Sequence, residues 1–179
     1  MLTRDPGAYL ALALQVPTYP VAGLTNPKSV REHIRHNIER IGMAAAASAQ
    51  AGADARGIAV RLVVLPEYVL TGAPSPGSFA QWRSLACLEI NGAEYDALGR
   101  IASDGKFFLA GNAYEADPHF PEIYFQCSFV VDPAGNVILR YRRLISLYSP
   151  SPCDVWDRYL QHYGLSGIYP VVRTAIGNL

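Results

Sequence analysis

The order of segments along this chain predicts an α/β fold built on a mixed sheet, and three observations carry that prediction. Residues 10–16 alternate bulky and small side chains, which is the period of a strand. A helical repeat of apolar residues follows, and "RLVVL" at 61–65 then forms an almost unbroken aliphatic run. After two further helical segments the chain turns to several strands in succession, the pattern of a sheet that mixes strand directions.

Each element has its local reason. Leu10, Leu12, Leu14 and Val16 alternate with Ala11, Ala13 and Gln15, giving a first strand with one bulky and one small face. "YPVAGLTNP" supplies turn chemistry, Asn26 is a helix cap with Pro27 at the first position, and Val30, Ile34, Ile38, Ile41 and Ala45 recur at helical spacing up to a stop at Gly52. "GIAVRLVVLP" predicts a central strand buried on both faces, with Glu67 at its C-terminal end. "SFAQWRSLACL" and "AEYDALGRIASD" predict two short helices, and "KFFLAGNAYE" the strand after them. "IYFQCSFVV" and "VILRYRRL" flank "DPAGN" and form a hairpin. "SPCDVWDRYLQHYG" opens a last helix with Ser151 and Pro152 and closes it at Gly164, and "PVVRTAIGNL" begins one more strand. No repeat, low-complexity tract or linker divides residues 1–179, so they are expected to form a single domain.

Composition narrows the class of partner. A chain of 179 residues, half of them apolar and with a formal net charge of zero, can bury one good core. It lacks the basic excess that nucleic acid or an anionic membrane surface requires, so the expected partner is a small neutral molecule. Its three cysteines are odd in number and far apart, which predicts reduced thiols in a cytoplasmic protein. "YLALALQV" is short for a signal sequence, follows Asp5 and Pro6, and precedes no small-residue cleavage site. No run approaches the roughly 20 apolar residues of a membrane span.

Glu67 is the residue that asks for an explanation, because it places a carboxylate directly after a buried strand. Ligands in open α/β sheets collect beyond the carboxyl ends of strands, and a carboxylate partly buried there is a usable general base. Position alone supports equally a solvated or salt-bridged loop residue. His33 and His36 in "HIRH" fall off the apolar face of their helix and have no third ligand in view, so a solvated surface is the expected setting rather than a metal site. His119, in "ADPHFPE", lies where it could border a pocket.

Read together and in this order, "ALALQV", "LVVLPEYVLTG", "GNAYE" and "FVVDPAGNVILRYRRL" resemble the nitrilase superfamily of carbon–nitrogen hydrolases, across nearly the whole chain. "PEY" followed shortly by glycine is similar to the aliphatic-amidase branch. The resemblance implies an αββα sandwich, pairing with a second copy into a homo-oligomer, and a Glu-Lys-Cys triad that hydrolyses small amides, nitriles or carbamoyl compounds. It implies neither a metal nor an organic cofactor. By its "LPE" context Glu67 matches the base of the triad, and Tyr68 beside it is placed to touch substrate, although an aromatic at a strand end also serves packing.

Two departures from the family pattern matter. Arg143 stands where the resemblance expects the lysine, at the end of "RYRR". Arginine keeps the positive charge that stabilises an oxyanion but cannot share a proton as lysine can, and the same residues also read as a solvated basic strand edge. Lys28 and Lys106 lie elsewhere in the chain. The nucleophilic cysteine is the second departure, because in the family it follows the strand that "PVVRTAIGNL" begins. The sequence is therefore expected to be cut before the nucleophile-bearing segment and to be inactive alone. Cys87 and Cys127 lie among apolar residues as small core groups. Cys153 sits at a helix start, which favours a thiolate, but Asp154 and Asp157 oppose it. Those two aspartates read as first-turn residues or as stand-ins for a further acidic group of the family. The alternative to a hydrolase is a non-catalytic relative that binds a small ligand or a partner.

Overall fold

Asn26 starts the longest element: its side chain accepts from the backbone N–H groups of Lys28 and Ser29 at 2.9 and 3.3 Å, with Pro27 at the first helical position. The computed structural model, which describes residues 7–74, 77–146 and 149–179, runs this helix, α1, from Pro27 to Arg56. Gly52 does not stop it as expected. The flanking alanines carry the helix across one glycine at a cost of about 1 kcal/mol. The stop is Gly57, whose φ of 64° is the left-handed conformation glycine allows and whose N–H caps Ala53 O at 2.8 Å.

The strands are β1 (Leu10–Ala13), β2 (Val60–Val64), β3 (Leu88–Glu89), β4 (Phe108–Ala116), β5 (Phe125–Val131) and β6 (Val137–Arg142). They form one sheet in the order β1-β2-β4-β5-β6, with β3 on β4. Pairing is parallel from β1 to β4 and antiparallel from β4 to β6, which makes the sheet mixed as predicted. β1 ends before Val16, although Leu14 N–H still reaches Val64 O at 2.9 Å. Helices α2 (Phe79–Ala86) and α3 (Ala93–Gly105) lie between β2 and β4 in the chain. Lys106 is not in a strand: it takes the left-handed position, φ 54°, that closes α3. The "DPAGN" hairpin forms as expected, with the Asp132 carboxylate accepting from the backbone of Ala134 and Asn136, both at 2.9 Å.

Helices α2 and α3 join α1 around the main core, where Val30, Ile34 and Ile38 meet Val63, Leu98, Leu109 and Phe129. The opposite face of the sheet carries a smaller cluster, Phe108 and Val130 with Ile176. β2 is therefore not buried on both faces as its sequence suggests: Val60 and Val63 are buried, but Val64 is 40% exposed. The last predicted helix is a 3₁₀ turn, Pro152–Val155, followed by α4, Trp156–Tyr163. "PVVRTAIGNL" folds not as one strand but as a tight ribbon of β7 (Arg173–Thr174) and β8 (Gly177–Asn178), since Gly177 at φ 120° lets the chain reverse.

Candidate functional site

Two backbone continuations bring the site together. Leu65 N–H donates to Ala110 O at 2.8 Å, holding the end of β2 against β4 before Pro66 and Glu67 leave the sheet. Arg143 N–H donates to Gln126 O at 2.9 Å, extending the β5–β6 ladder one residue beyond β6 and setting Arg143 beside Gln126. Glu67 then enters a turn in which Tyr68 O accepts from Gly72 N–H at 2.7 Å. Tyr68 sits at φ 63°, a strained conformation for tyrosine that fixes its ring next to the carboxylate. Gly72 is required there, because a Cβ would lie 2.6 Å from Pro20 Cβ.

The expected pair does meet: Arg143 Nη1 lies 3.8 Å from Glu67 Oε1. It is not a bidentate lock, because Gln126 stands between the two groups. Its amide donates from Nε2 to Glu67 Oε1 at 2.6 Å and accepts at Oε1 from Arg143 Nη1 at 3.1 Å, while Arg143 Nε donates to Ile145 O at 3.1 Å. Gln126 is 4% exposed, whereas the side chains of Glu67 and Arg143 are 53% and 48% exposed. The carboxylate is thus half open to water rather than partly buried as expected.

A cavity of about 470 Å³ opens beside this trio, lined by Gln126 and Arg143 and by Tyr68, Trp82, Tyr114 and Tyr124. Tyr114 organises the aromatic wall, stacking on Tyr68 at 6.1 Å and meeting Trp82 and Tyr124 edge to face at 5.7 and 5.5 Å. Burial, and then the neighbouring Tyr68, pushes the Tyr114 phenol upward, and burial pushes Tyr124 up to about 12. Both phenols stay protonated at neutral pH.

The remaining candidates lie away from the trio. Cys127 precedes Ser128 on β5 and is offset by one from Gln126, so its thiol faces the opposite side of the sheet. Burial pushes the Cys87 and Cys127 thiols well above their ordinary range, which denies both the thiolate form. Cys153 is exposed on the 3₁₀ turn. Asp154 caps that turn, accepting from Ser151 N–H and Oγ–H at 2.7 and 2.8 Å, and Asp157 occupies the first turn of α4. His33 lies 3.1 Å from Tyr19 O and His36 3.5 Å from Glu39. His119 does not border the cavity; it contacts Asp117 at 3.0 Å and stacks on His162 at 3.6 Å. Lys28 is in the first turn of α1. Among the described residues, no group of three or more His, Cys, Asp and Glu side chains is placed to hold a metal.

Sequence reasoning passed over two features. Gln126 is the first, and its signal was a polar amide on an otherwise apolar strand. The second is a buried ionic network on the other face. Glu115 and Asp117 are fully buried, Arg140 Nε lies 3.0 Å from Glu115, and Arg142, 3% exposed, reaches Asp117 at 2.7 Å and Glu115 at 3.7 Å. Tyr95 and Tyr163 each donate a 2.5 Å hydrogen bond to the two carboxylates in turn. Arg142 also stacks over Phe125 and Tyr163 at 4.5 and 4.7 Å. "RYRR" is therefore not a solvated edge throughout: Arg142 is buried, whereas Tyr141 is 36% exposed and the Arg143 side chain 48%. Its signal lay in the spacing, since Glu115 and Asp117, and Arg140 and Arg142, are each two apart in extended chain.

The structure is thus of the α/β class, a mixed sheet with a carboxylate after one strand end and a cation after another, both beside an aromatic-walled cavity. The chain belongs to the carbon–nitrogen hydrolase family, which it matches over residues 21–179. It is 26% identical over 98 residues to a formamidase of Helicobacter acinonychis (strain Sheeba), covering 54% of this chain and 27% of that protein. Its fold is that of the nitrilase superfamily. It is similar to Saccharomyces cerevisiae Nit3, a member of branch 10 of that superfamily, with a TM-score of 0.56 at 18% identity over 93% of this chain and 51% of that one. It is also similar to an N-terminal amidase solved with an Asn-Glu-Ala peptide, at TM-score 0.54 and 15% identity over 78% and 29% of the two chains. The chain thus spans between about a quarter and a half of the length of these relatives.

Proposed function

We propose that this chain contributes the acid–base half of a nitrilase-type site that hydrolyses a small amide, nitrile or carbamoyl compound. Glu67 is the general base, Arg143 the cationic stabiliser and Tyr68 part of the substrate wall. The observation that supports this reading is the Gln126 bridge. It occupies Glu67 Oε1 and Arg143 Nη1, and leaves Glu67 Oε2 and Arg143 Nη2 without hydrogen bonds among the described residues. Oε2 is then free to take a proton from a thiol, and Nη2 to face the oxygen or nitrogen that gains negative charge when the thiolate attacks the substrate carbon. For an amide or carbamoyl compound, collapse of that adduct expels the amine, which takes the proton from Glu67, and water attacking the thioester releases the acid and restores the thiol. A nitrile gives a thioimidate instead, from which ammonia leaves after water adds. The thiol is one other than Cys87, Cys127 or Cys153. The family resemblance further supports a cytoplasmic homo-oligomer, whose assembly state sedimentation of the purified protein tests.

A second reading, a non-catalytic protein that binds a small ligand or partner, is favoured by one observation. Arg143 stands in place of lysine and cannot pass on a proton. Turnover of short aliphatic amides, nitriles and carbamoyl compounds by a chain extended to the length of its relatives separates the two. Hydrolysis that Glu67→Gln abolishes and Arg143→Lys preserves or raises supports the enzyme. Hydrolysis indifferent to Glu67→Gln removes the base from the scheme, and no hydrolysis by either the native extended chain or its Arg143→Lys variant leaves the binding protein. The 179-residue chain itself is expected to show no turnover, and activity lost on Cys153→Ser would reinstate that thiol.

A further inference from the structure

Helix α2 carries a side chain that belongs to two cavities at once. Ser78 accepts from Gln81 N–H and Gln81 returns a bond to Ser78 N–H, a capping box that fixes the start of α2 and with it the direction of Trp82 one residue on. Arg83 Nε donates to Ile123 O at 3.0 Å and ties the helix to the segment before β5. Trp82 is 7% exposed and lines the 470 Å³ cavity beside Gln126 and Arg143. It also lines a second cavity of about 280 Å³, whose other walls include Leu24, Val30, Leu85 and Ala86. The second cavity is mostly apolar, with Thr25, Ser78 and Gln81 as its polar members, is not lined by Gln126 or Arg143, and meets the first at Trp82, Gly77 and Ser78.

The indole supplies an independent observation. Its Nε1–H is buried and has no hydrogen-bond partner among the described residues. Buried polar groups are ordinarily paired, so the ring is held by packing against Tyr114 and by no directional bond. The side chain dividing the two cavities is therefore a buried aromatic whose polar atom nothing among the described residues anchors.

We propose that Trp82 is the specificity-determining residue of the site, a partition that sets how long an acyl chain the cavity accepts, and that the space behind it is a latent apolar subsite. This rests on the reading of the larger cavity as the amide site. A substrate with a short acyl group fits in front of the ring, against Tyr68 and Tyr114. A longer straight-chain amide reaches the indole and stops. Reducing the ring joins the cavities and shifts the preference toward long aliphatic amides.

Titration of the 179-residue protein with acetamide, butyramide, hexanamide and 1-hexanol, followed by NMR, tests the partition without requiring turnover. Signals of Tyr68 and Gln126 report the first cavity, and methyl signals of Leu24 and Leu85 report the second. In the native protein, affinity is expected to rise about fourfold per added methylene until the chain meets the ring, and then to fall, with Leu24 and Leu85 unmoved throughout. In Trp82→Phe and Trp82→Ala the rise continues to hexanamide, and Leu24 and Leu85 shift. Trp82→Phe keeps a ring in the core and carries the test if the alanine variant does not fold. Hexanamide moving Leu24 and Leu85 in the native protein, or an unchanged length limit in the folded variants, overturns the proposal. If no amide moves Tyr68 or Gln126, the amide reading fails, and 1-hexanol reads the partition alone. It should reach Leu24 and Leu85 only in the variants, and entry into the native protein or exclusion from the variants overturns the partition as well.

Discussion

Arg142 and Arg143 follow one another at the end of β6, yet the first is 3% exposed against two buried carboxylates and the second is 48% exposed beside one that is itself half open. The same division runs along β5, where Gln126 joins the open site and Cys127 turns toward the buried network. Strand alternation deals successive residues to opposite faces. One run of sequence thus builds a structural ion cluster with one set of alternate residues and a candidate reaction site, walled by Trp82 of α2, with the other. The lesson is that a basic motif such as "RYRR" has no single role. Its odd and even members answer to different physics, desolvation and pairing on one face and accessibility on the other.

Deleting one arginine at a time separates the two faces most strongly. Arg142→Ala takes from buried Asp117 its arginine partner and leaves Glu115 with Arg140 alone, and is expected to cost about 3–5 kcal/mol, enough to unfold a marginal domain. Arg143→Ala should cost no more than about 1 kcal/mol, the range of an exposed pair. Urea denaturation of both variants measures the difference, and equal losses would erase the distinction between the faces.

For activity the ranking reverses. In a hydrolytically active extended chain, Glu67→Gln should lower kcat/KM by about 10²–10⁴-fold while leaving the urea midpoint nearly unchanged. A loss of activity that tracks a loss of stability would mean that Glu67 is a structural residue instead.

Acid sharpens the contrast further. Burial alone would raise the Asp117 carboxyl, but hydrogen bonds from Tyr163 and His119 and the charge of Arg142 outweigh it and hold it below its ordinary value of 3.8. A depressed folded-state value gives stability that is fully present above the ordinary one and is lost as pH falls through the lower, folded one. Unfolding free energy should therefore decline below about pH 4, and Asp117→Asn should flatten that decline. An unchanged acid slope in the variant would assign the loss to other carboxylates.

The smallest expected effect is that of Arg143→Lys on stability, on the order of a few tenths of a kcal/mol, because the site is half exposed and a lysine there can still reach Gln126 Oε1. A thermal shift of several degrees would show that the planar fork of Arg143 does more than hold charge.

Much of this fold was legible because local rules act alone at the places concerned. Asn26-Pro27 and "DPAGN" specify their cap and turn within a few residues, and the mixed sheet follows from the order of elements. Glu67 and Arg143 were legible as partners only through the family resemblance, since nothing local connects them. Gln126 was not, because a lone amide in an apolar strand gains meaning only when β2 and the residue after β6 arrive on either side of it. The buried network escaped for a related reason. Arg140 and Arg142 reach their carboxylates, on β4 and just beyond it, across the intervening β5, a distance no sequence window spans. The continuation of α1 through Gly52 shows the opposite limit, where summed helix propensity overrides a single local stop.

The strand connections that assemble the trio also set a temporal order on it. β4, β5 and β6 are joined by short connections and pair antiparallel, so the ladder that sets Arg143 beside Gln126 closes over small loops. Glu67 arrives by a parallel crossover, with α2 and α3 lying between β2 and β4, and its loop-closure entropy is larger. We therefore expect the cation and its amide partner to be in place during refolding before the carboxylate docks. Pulse-labelled hydrogen exchange should find the β5–β6 amides protected ahead of those of β2, and simultaneous protection would refute that order. A chain interrupted midway through folding would then carry a formed anion-stabilising edge and no base to use it.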